Sequence, residues 1–411
     1  MSETKKVTLP ILAWYGDTEL EVDFPASWDV NVCNMHGAAT PPLDGAGFRK
    51  AFANPIGTKT IREMAKGKKE VVILFDDMSR GTPSADIVPY VLEELAAAGI
   101  KDGQIRFVAA IGAHGSMTAI DFTKKLGSDV MGRFPVYNHN PYENCTSVGP
   151  SPQGIPMQFN AEVMICDLKI GIGAIVPHPM SGFGGGSKII LPGVASITTI
   201  DLNHTRLGPS ETTGIGKYEG NILKRDMNDA ARMAGLDVKV DCIFNLKRQV
   251  THLFVGDVVD EHVEGVKVAK DFYASDMVDD CDIVVANCFA KANEMVLAPL
   301  VATPLLKESG GDLVLLVVTP EGQINHYWGR SFGKNLGGRN FKPKTELPMN
   351  TKRLIVMQPY PDYVGGDWVA PYDQINFTRS WPETIESLKA AYGDKAKVAV
   401  IPDVTVQYFP G

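Results

Sequence analysis

Apolar positions gather into short, β-branched runs: VVILF at 71–75, IRFVAAIG at 105–112, VMICDLKIGIG at 163–173 and DIVVANCF at 282–289. Helix-like segments separate them, Ser84 to Ala98 and Thr118 to Leu126, with Thr82-Pro83 and Ser116 to Thr118 supplying turn and capping chemistry. This alternation predicts an α/β fold whose strands are in part parallel. From about residue 275 a second series begins: a strand at 282–289, a helix near 294–307, strands at 313–320 and 354–360, a helix near 382–392 and a strand at 398–403.

The expected organisation is two α/β domains, each a mixed or mostly parallel sheet with flanking helices, with the active site in the cleft between them. The boundary falls where KVAKDFYAS runs into the acidic, poorly periodic DMVDDCD. That gives a cofactor-binding catalytic domain over 1–274 and a substrate-closing domain over 275–411, whose last residues could pack back on the first. The basic, glycine-rich stretch EGQINHYWGRSFGKNLGGRNFKPKTELPMNTK suits either a lid over a site or a surface linker.

At 411 residues, with 44% hydrophobic and 21% charged positions, the chain has the composition of a globular protein, not of a disordered or collagen-like one. A formal charge of -8 offers no general field for nucleic acid or an anionic membrane, so an anionic ligand must be caught by a local site. Cys33, Cys145, Cys166, Cys242, Cys281 and Cys288 form no CxxC pair, and most lie in apolar stretches, as buried thiols of a reducing compartment do. The N-terminus carries no secretory apolar region and no segment approaches about 20 uninterrupted apolar residues. A cytoplasmic location is the expectation.

The chemistry concentrates in VPHPMSGFGGGSKIILPGVASITTIDLNHTR, residues 176–206, which brings His178, a glycine-rich turn, Lys188 and His204 into one stretch. The run Gly182, Gly184, Gly185 and Gly186 frees the backbone for positive φ and for close approach of main-chain amides to a phosphate. Ser187 precedes the lysine, so the Walker order is absent, and Pro177 and Pro179 spoil a dinucleotide fingerprint. A tight turn with a solvated lysine would explain the glycines alone. Two further loops end strands: LFDDMSRGTP, with Asp77 and Arg80, and AAIGAHGSMT, with His114. Ligands of open α/β sheets bind beyond such strand ends, and the Arg80 fork suits a carboxylate or phosphate.

Together DDxxR, GxH followed by MT, HPMSGFGGGSKxxLPG and NH resemble nickel-dependent lactate racemase and its relatives, over most of residues 70–206. The resemblance implies that Lys188 is joined covalently to a nickel-pincer nucleotide, pyridinium-3,5-bisthiocarboxylic acid mononucleotide. This group binds nickel through one ring carbon and two sulfurs, and His204 would be the fourth ligand. Soft sulfur donors with an imidazole suit Ni(II). The reaction implied is inversion at C2 of a 2-hydroxy acid. The α-hydrogen moves as hydride to the pincer while His114 or His178 removes the hydroxyl proton, each from its own side. Arg80 would hold the carboxylate. Asp77 would orient Arg80 or a cofactor hydroxyl beside Gly184, Gly185 and Gly186.

The resemblance weakens in CFAKANEMVLAPLVATPLL, where Leu297, Pro299 and Leu300 stand at about the positions from which the family offers glutamine and lysine to the substrate. Lactate is therefore not the expected substrate. Lys291, Asn293 or Glu294 are candidate replacements, with Lys291 and Trp368 named as substrate contacts and Trp328 as a second candidate wall. The expected partners are the small 2-hydroxy acid and cofactor-synthesis proteins, with no nucleic acid and no membrane. A nucleotide-binding or carrier protein without racemase activity would need only Lys188 and His204. A pyridoxal-phosphate enzyme would use Lys188 as a Schiff base but leaves His204 and DDxxR unexplained.

Overall fold

The structure, a computed structural model, describes residues 4–329 and 346–410. Most of the long basic stretch after Gly329 therefore lies outside the described residues. The chain divides into two compact units, one of Ala39–Asp271 with His326–Trp328, the other of Met1–Ala38, Phe272–Asn325 and Gly329–Gly411.

The first unit is built on six strands in the order Val250–Gly256, Val238–Phe244, Leu168–Ala174, Val71–Phe75, Ile105–Ala109 and Val136–Asn138. Only the pair Val238–Phe244 and Val250–Gly256 is antiparallel; the other four pairings are parallel. Every residue of Val71–Phe75, Leu168–Ala174 and Val238–Phe244 is buried, as a sheet covered on both faces requires. Val72 and Leu74 join Ile155, Phe159, Leu191 and Met227 in one apolar cluster, and the residues between them face the opposite layer.

The expected run at 163–173 is cut in two. Asn160 caps a helical turn at Ala161–Met164 by accepting from Val163 N at 3.2 Å, and Asp167 accepts from Glu70 N at 2.9 Å. The strand thus starts only at Leu168.

The second unit carries six strands, all parallel, in the order Ile375–Thr378, Thr351–Met357, Gly311–Val317, Ile283–Cys288, Lys397–Ile401 and Asp29–Val32. Its last strand comes from the N-terminal end of the chain. The hairpin of Thr4–Ile11 and Thr18–Pro25 accompanies it, burying Leu9, Val22, Phe24 and Trp28 against Ile283, Val285 and Trp381. Residues 1–38, which the sequence reading assigns to the first domain, thus belong to the second. A local pattern shows that a strand has a buried face but not which distant strand covers its edge. The C-terminal residues stay in this unit as well, where Gln407 Nε2 donates to Cys33 O at 2.7 Å.

The expected helix at 294–307 is three short turns, Met295–Leu297, Ala298–Ala302 and Thr303–Leu305. Pro299 and Pro304 each lack the N–H a continuous helix needs. All six cysteines are free thiols, five of them buried. No helix among the described residues is long and apolar enough to cross a membrane.

Candidate active site

Three loops leave the carboxyl ends of the adjacent parallel strands Leu168–Ala174, Val71–Phe75 and Ile105–Ala109, and Asp77, Arg80, His114, His178, Lys188 and His204 lie on them or on the helix that follows. Gly112 N donates to Gly193 O at 2.9 Å, and Gly193 N to Lys188 O at 3.1 Å, which ties the His114 loop to the Lys188 loop.

The loop after Phe75 is braced from below. Fully buried Lys125 pairs with Asp76 Oδ1 at 2.7 Å and donates to Arg80 O at 2.8 Å, while Thr82 Oγ1 donates to Asp76 Oδ2 at 2.5 Å. The first aspartate of DDxxR is therefore a brace, and the second faces the site. Asp77 Oδ2 lies 2.6 Å from His114 Nδ1, and Asp77 Oδ1 accepts from Ser79 N at 2.8 Å and from Ser79 Oγ at 2.6 Å. Burial would raise the Asp77 carboxyl, but His114 and Arg80 beside it hold it well below the usual carboxylate range. An ionised carboxylate can only accept, so His114 Nδ1 carries a proton and the lone pair of the neutral ring falls on Nε2. The sequence reading gives Asp77 to Arg80 or a cofactor hydroxyl; its short contact is with His114 instead. Arg80, half-buried, donates from NH1 to Ser79 O at 3.1 Å.

His178 is held differently. Its Nδ1 accepts from Met180 N and Ser181 N, both at 3.2 Å, with Ser181 Oγ at 3.1 Å. Two backbone N–H groups aimed at Nδ1 require a lone pair there, which puts the proton of the neutral ring on Nε2.

In the glycine-rich turn, Gly182, Gly185 and Gly186 take positive φ, while Gly184 does not. Two of the turn's amides are turned into the protein: Gly184 N donates to Val176 O at 2.7 Å, and Gly186 N to Asp241 Oδ2 at 2.5 Å. A Cβ at Gly185 would meet Asp241 Oδ2 at 2.9 Å, and one at Gly186 would meet the His262 ring at 2.7 Å. These glycines let the turn sit close over a buried charged cluster, a different reason from the expected baring of amides to a phosphate.

That cluster was not legible as a site. Lys239 pairs with Asp241 at 2.5 Å, both fully buried. Lys224 Nζ donates to Gly185 O at 3.0 Å, and His262 Nε2 to Gly184 O at 2.7 Å. Burial lowers Lys224 to about 7 and His262 to about 3. Burial and the neighbouring Asp241 raise the Glu261 carboxyl well above its ordinary range. The available signal is VKVDCIF, where Lys239 and Asp241 fall two apart on one face of an otherwise apolar strand.

Lys188 sits in the 3₁₀ turn Gly186–Ile189. His204 lies on the helix Ile197–Leu207, capped by Ser196, with Thr199, Ile200, Asn203 and His204 turned inward. His204 Nδ1 donates to Ile200 O at 3.0 Å, which leaves the lone pair on Nε2. Burial and the nearby Lys188 charge lower its pKa to about 4, so the ring is neutral.

Segment His326–Trp328 brings a residue the sequence reading did not single out. The ring of His326 meets that of His114 edge-on, with centroids 4.8 Å apart. Trp328 lies 5.1 Å from the His204 ring and donates from Nε1 to Asp201 Oδ1 at 2.8 Å. Lys291 and Trp368 belong to the other unit. There Lys291 is buried with its Nζ 3.9 Å from Glu294, and Trp368 is buried at the end of the turn Val364–Trp368.

Residues 15–215 match the family model described as the lactate racemase N-terminal domain. The lactate racemase of Lactiplantibacillus plantarum is 28% identical over 381 residues, 86% of this chain and 88% of that protein. The lactate racemase of Thermoanaerobacterium thermosaccharolyticum is 31% identical over 244 residues, 58% of this chain but only 56% of that protein's length. The structure of the apoprotein of lactate racemase from T. thermosaccharolyticum superposes with a TM-score of 0.74 at 21% identity, covering 99% of this chain and 100% of that one. A Thermotoga maritima protein gives 0.67 at 17% identity, covering 89% of this chain and 98% of that one. These two likenesses establish the fold.

Proposed function

For this chain, which belongs to the lactate racemase family, we propose a racemase or epimerase that inverts C2 of a 2-hydroxy acid with a nickel-carrying pincer nucleotide held by Lys188 and His204. The residues fit such a group. His204 is neutral, tautomerically fixed through Nδ1, and close enough to Lys188 for the lysine charge to disfavour its protonation. Among the described residues no three His, Cys, Asp or Glu side chains are grouped as a metal site. One imidazole therefore suits a metal whose remaining donors arrive with the nucleotide. When bound, the group supplies a hydride acceptor, which the weakly acidic α-hydrogen of a hydroxycarboxylate calls for.

The protein's own part is proton handling and placement. The observation that carries the reading is the Asp77–His114 contact of 2.6 Å. It fixes Nε2 of His114 as the base for a hydroxyl proton and stabilises the imidazolium that forms. Arg80 binds the substrate carboxylate through its planar fork. His178 offers its Nε2 proton as a hydrogen bond to the substrate oxygen from the opposite side, and the proton taken up by His114 returns to that oxygen to complete the turnover. A protein that only stored the nucleotide would need no carboxylate-backed base. The replacement of the family's polar pair by Leu297, Pro299 and Leu300 supports a 2-hydroxy acid with a longer side chain than lactate, and loading the nucleotide implies cofactor-synthesis proteins as partners.

The test is a panel of 2-hydroxy acids in deuterated water, reading chirality and label at C2. Inversion with little solvent deuterium at that carbon is expected. Rapid deuterium incorporation would replace this reading with ordinary proton abstraction.

A further inference from the structure

Four rings run in series through the first unit. His114 meets His326 with centroids 4.8 Å apart, His326 meets Trp328 at 6.1 Å, and Trp328 meets His204 at 5.1 Å. The two ends of the series are the carboxylate-backed base and the proposed metal ligand, and neither middle ring has a role in the reaction as derived. We propose that His326 and Trp328 are positioning residues that fix the spacing and tilt of His114 and His204 relative to one another. The inference rests on His204 being the metal ligand.

Three observations on the segment carry it. His326–Trp328 belongs to this unit although the chain on either side of it belongs to the other. The segment is pinned at the backbone, where His326 bridges His114 and Tyr327 N donates to Ala113 O at 2.7 Å. It is pinned again at the indole, whose Nε1 donates to Asp201 Oδ1 at 2.8 Å, one helical turn before His204.

Each end of the series already has one fixed nitrogen, Nδ1 of His114 on Asp77 and Nδ1 of His204 on Ile200 O. Hydrogen bonds at one nitrogen set a tautomer but still let the ring rock about it. An aromatic face packed against the ring removes that freedom. Trp328 supplies that face to His204, and the His326 edge supplies it to His114. Both act by packing, so the nitrogens of His326 have no chemical step.

The experiment uses cofactor-loaded protein. Nickel release to excess EDTA should quicken by roughly 10-fold or more in Trp328→Ala, the usual scale for losing a support of a metal-bound imidazole. Trp328→Phe and Asp201→Ala, which fold more readily, should show a smaller increase of similar size. At the other end, His326→Ala should lower kcat with KM and nickel content little changed, and His326→Phe, which keeps a ring in place, should restore most of the loss.

Wild-type nickel retention in all three Trp328 and Asp201 variants would overturn the proposal at the metal end. A His326→Phe protein as impaired as His326→Ala would overturn it at the base end, because the nitrogens would then matter. If the unmutated protein retained no nickel, the metal reading would fall separately. The packing would then be judged by thermal unfolding, where Trp328→Phe and Asp201→Ala must be non-additive, and additive losses would overturn it.

Discussion

His114 and His178 are the same side chain placed on loops from the two strands that flank Val71–Phe75, yet their surroundings ask opposite things of them. His114 leans on a buried carboxylate, so its Nδ1 is a donor and the lone pair of the neutral ring falls on Nε2. His178 leans on the amides of Met180 and Ser181, so its Nδ1 is an acceptor and its Nε2 carries the proton. Two equivalent bases on opposite faces of a substrate, as the sequence motifs suggest, would show like surroundings. What differs is the immediate neighbour: a strand-end aspartate side chain in one loop, and a turn that folds its own N–H groups onto the ring in the other. Protonation roles are set by these neighbours more than by the imidazole.

The change that erases the contrast altogether is Lys188→Ala. It should give folded protein without retained nickel and with activity at background from either enantiomer, checked by metal analysis and intact mass. Normal nickel content would remove Lys188 from the anchor role.

Next in size is Asp77→Asn. Replacing the carboxylate with an amide removes the charge that holds His114 in its tautomer, and kcat/KM should fall roughly 100- to 10,000-fold with nickel retained. Equal activity would mean the aspartate serves only the loop.

The contrast is sharpened by a pair at His178. Alanine should cost roughly 10- to 100-fold, and His178→Gln, which still offers an N–H, should recover part of it. If both variants stop net racemisation completely, His178 is a second base and the asymmetry is lost.

The smallest effect lies beneath the glycine turn. Lys224 titrates near 7 in the folded chain, below the ordinary lysine value of about 10.4. Between those two values the unfolded chain binds more protons, so stability from this group rises as pH rises from about 7 toward 10, and its full penalty is present below 7. Lys224→Met should flatten that rise in melting temperature; an unchanged slope would show that another group titrates there.

Much of the first unit was legible from local pattern. VVILF became the strand Val71–Phe75 without adjustment, and Thr118 capped Ala119–Leu126 through a reciprocal bond with Asp121. The motif residues Asp77, Arg80, His114, His178, Lys188 and His204 all fall within this one unit. What pattern could not supply were partners. Nothing in DDMSR says that Asp76 will meet Lys125 and Asp77 will meet His114, because both pairings join the loop after Val71–Phe75 to the chain that follows the next strand, Ile105–Ala109. Nothing in NHYWG announces that His326 will lie against a histidine more than two hundred positions earlier. The glycine turn was read for its freedom, but the reason for that freedom, a charged cluster underneath, comes from Lys239, Asp241 and His262 on other elements.

The edge strand Asp29–Val32 has a consequence for how the molecule is made. Its partner, Lys397–Ile401, is synthesised more than three hundred residues later. Residues 39–271 form an almost uninterrupted stretch that can gather its core during synthesis. The strand Asp29–Val32, with Val22 and Phe24 of the hairpin and Trp28 beyond it destined for burial, must wait, sticky and without its sheet partner, until residues 397–401 appear. Nascent chains stalled short of residue 397 should therefore expose an apolar head that full-length chains conceal, and that interval is when a chaperone would be needed.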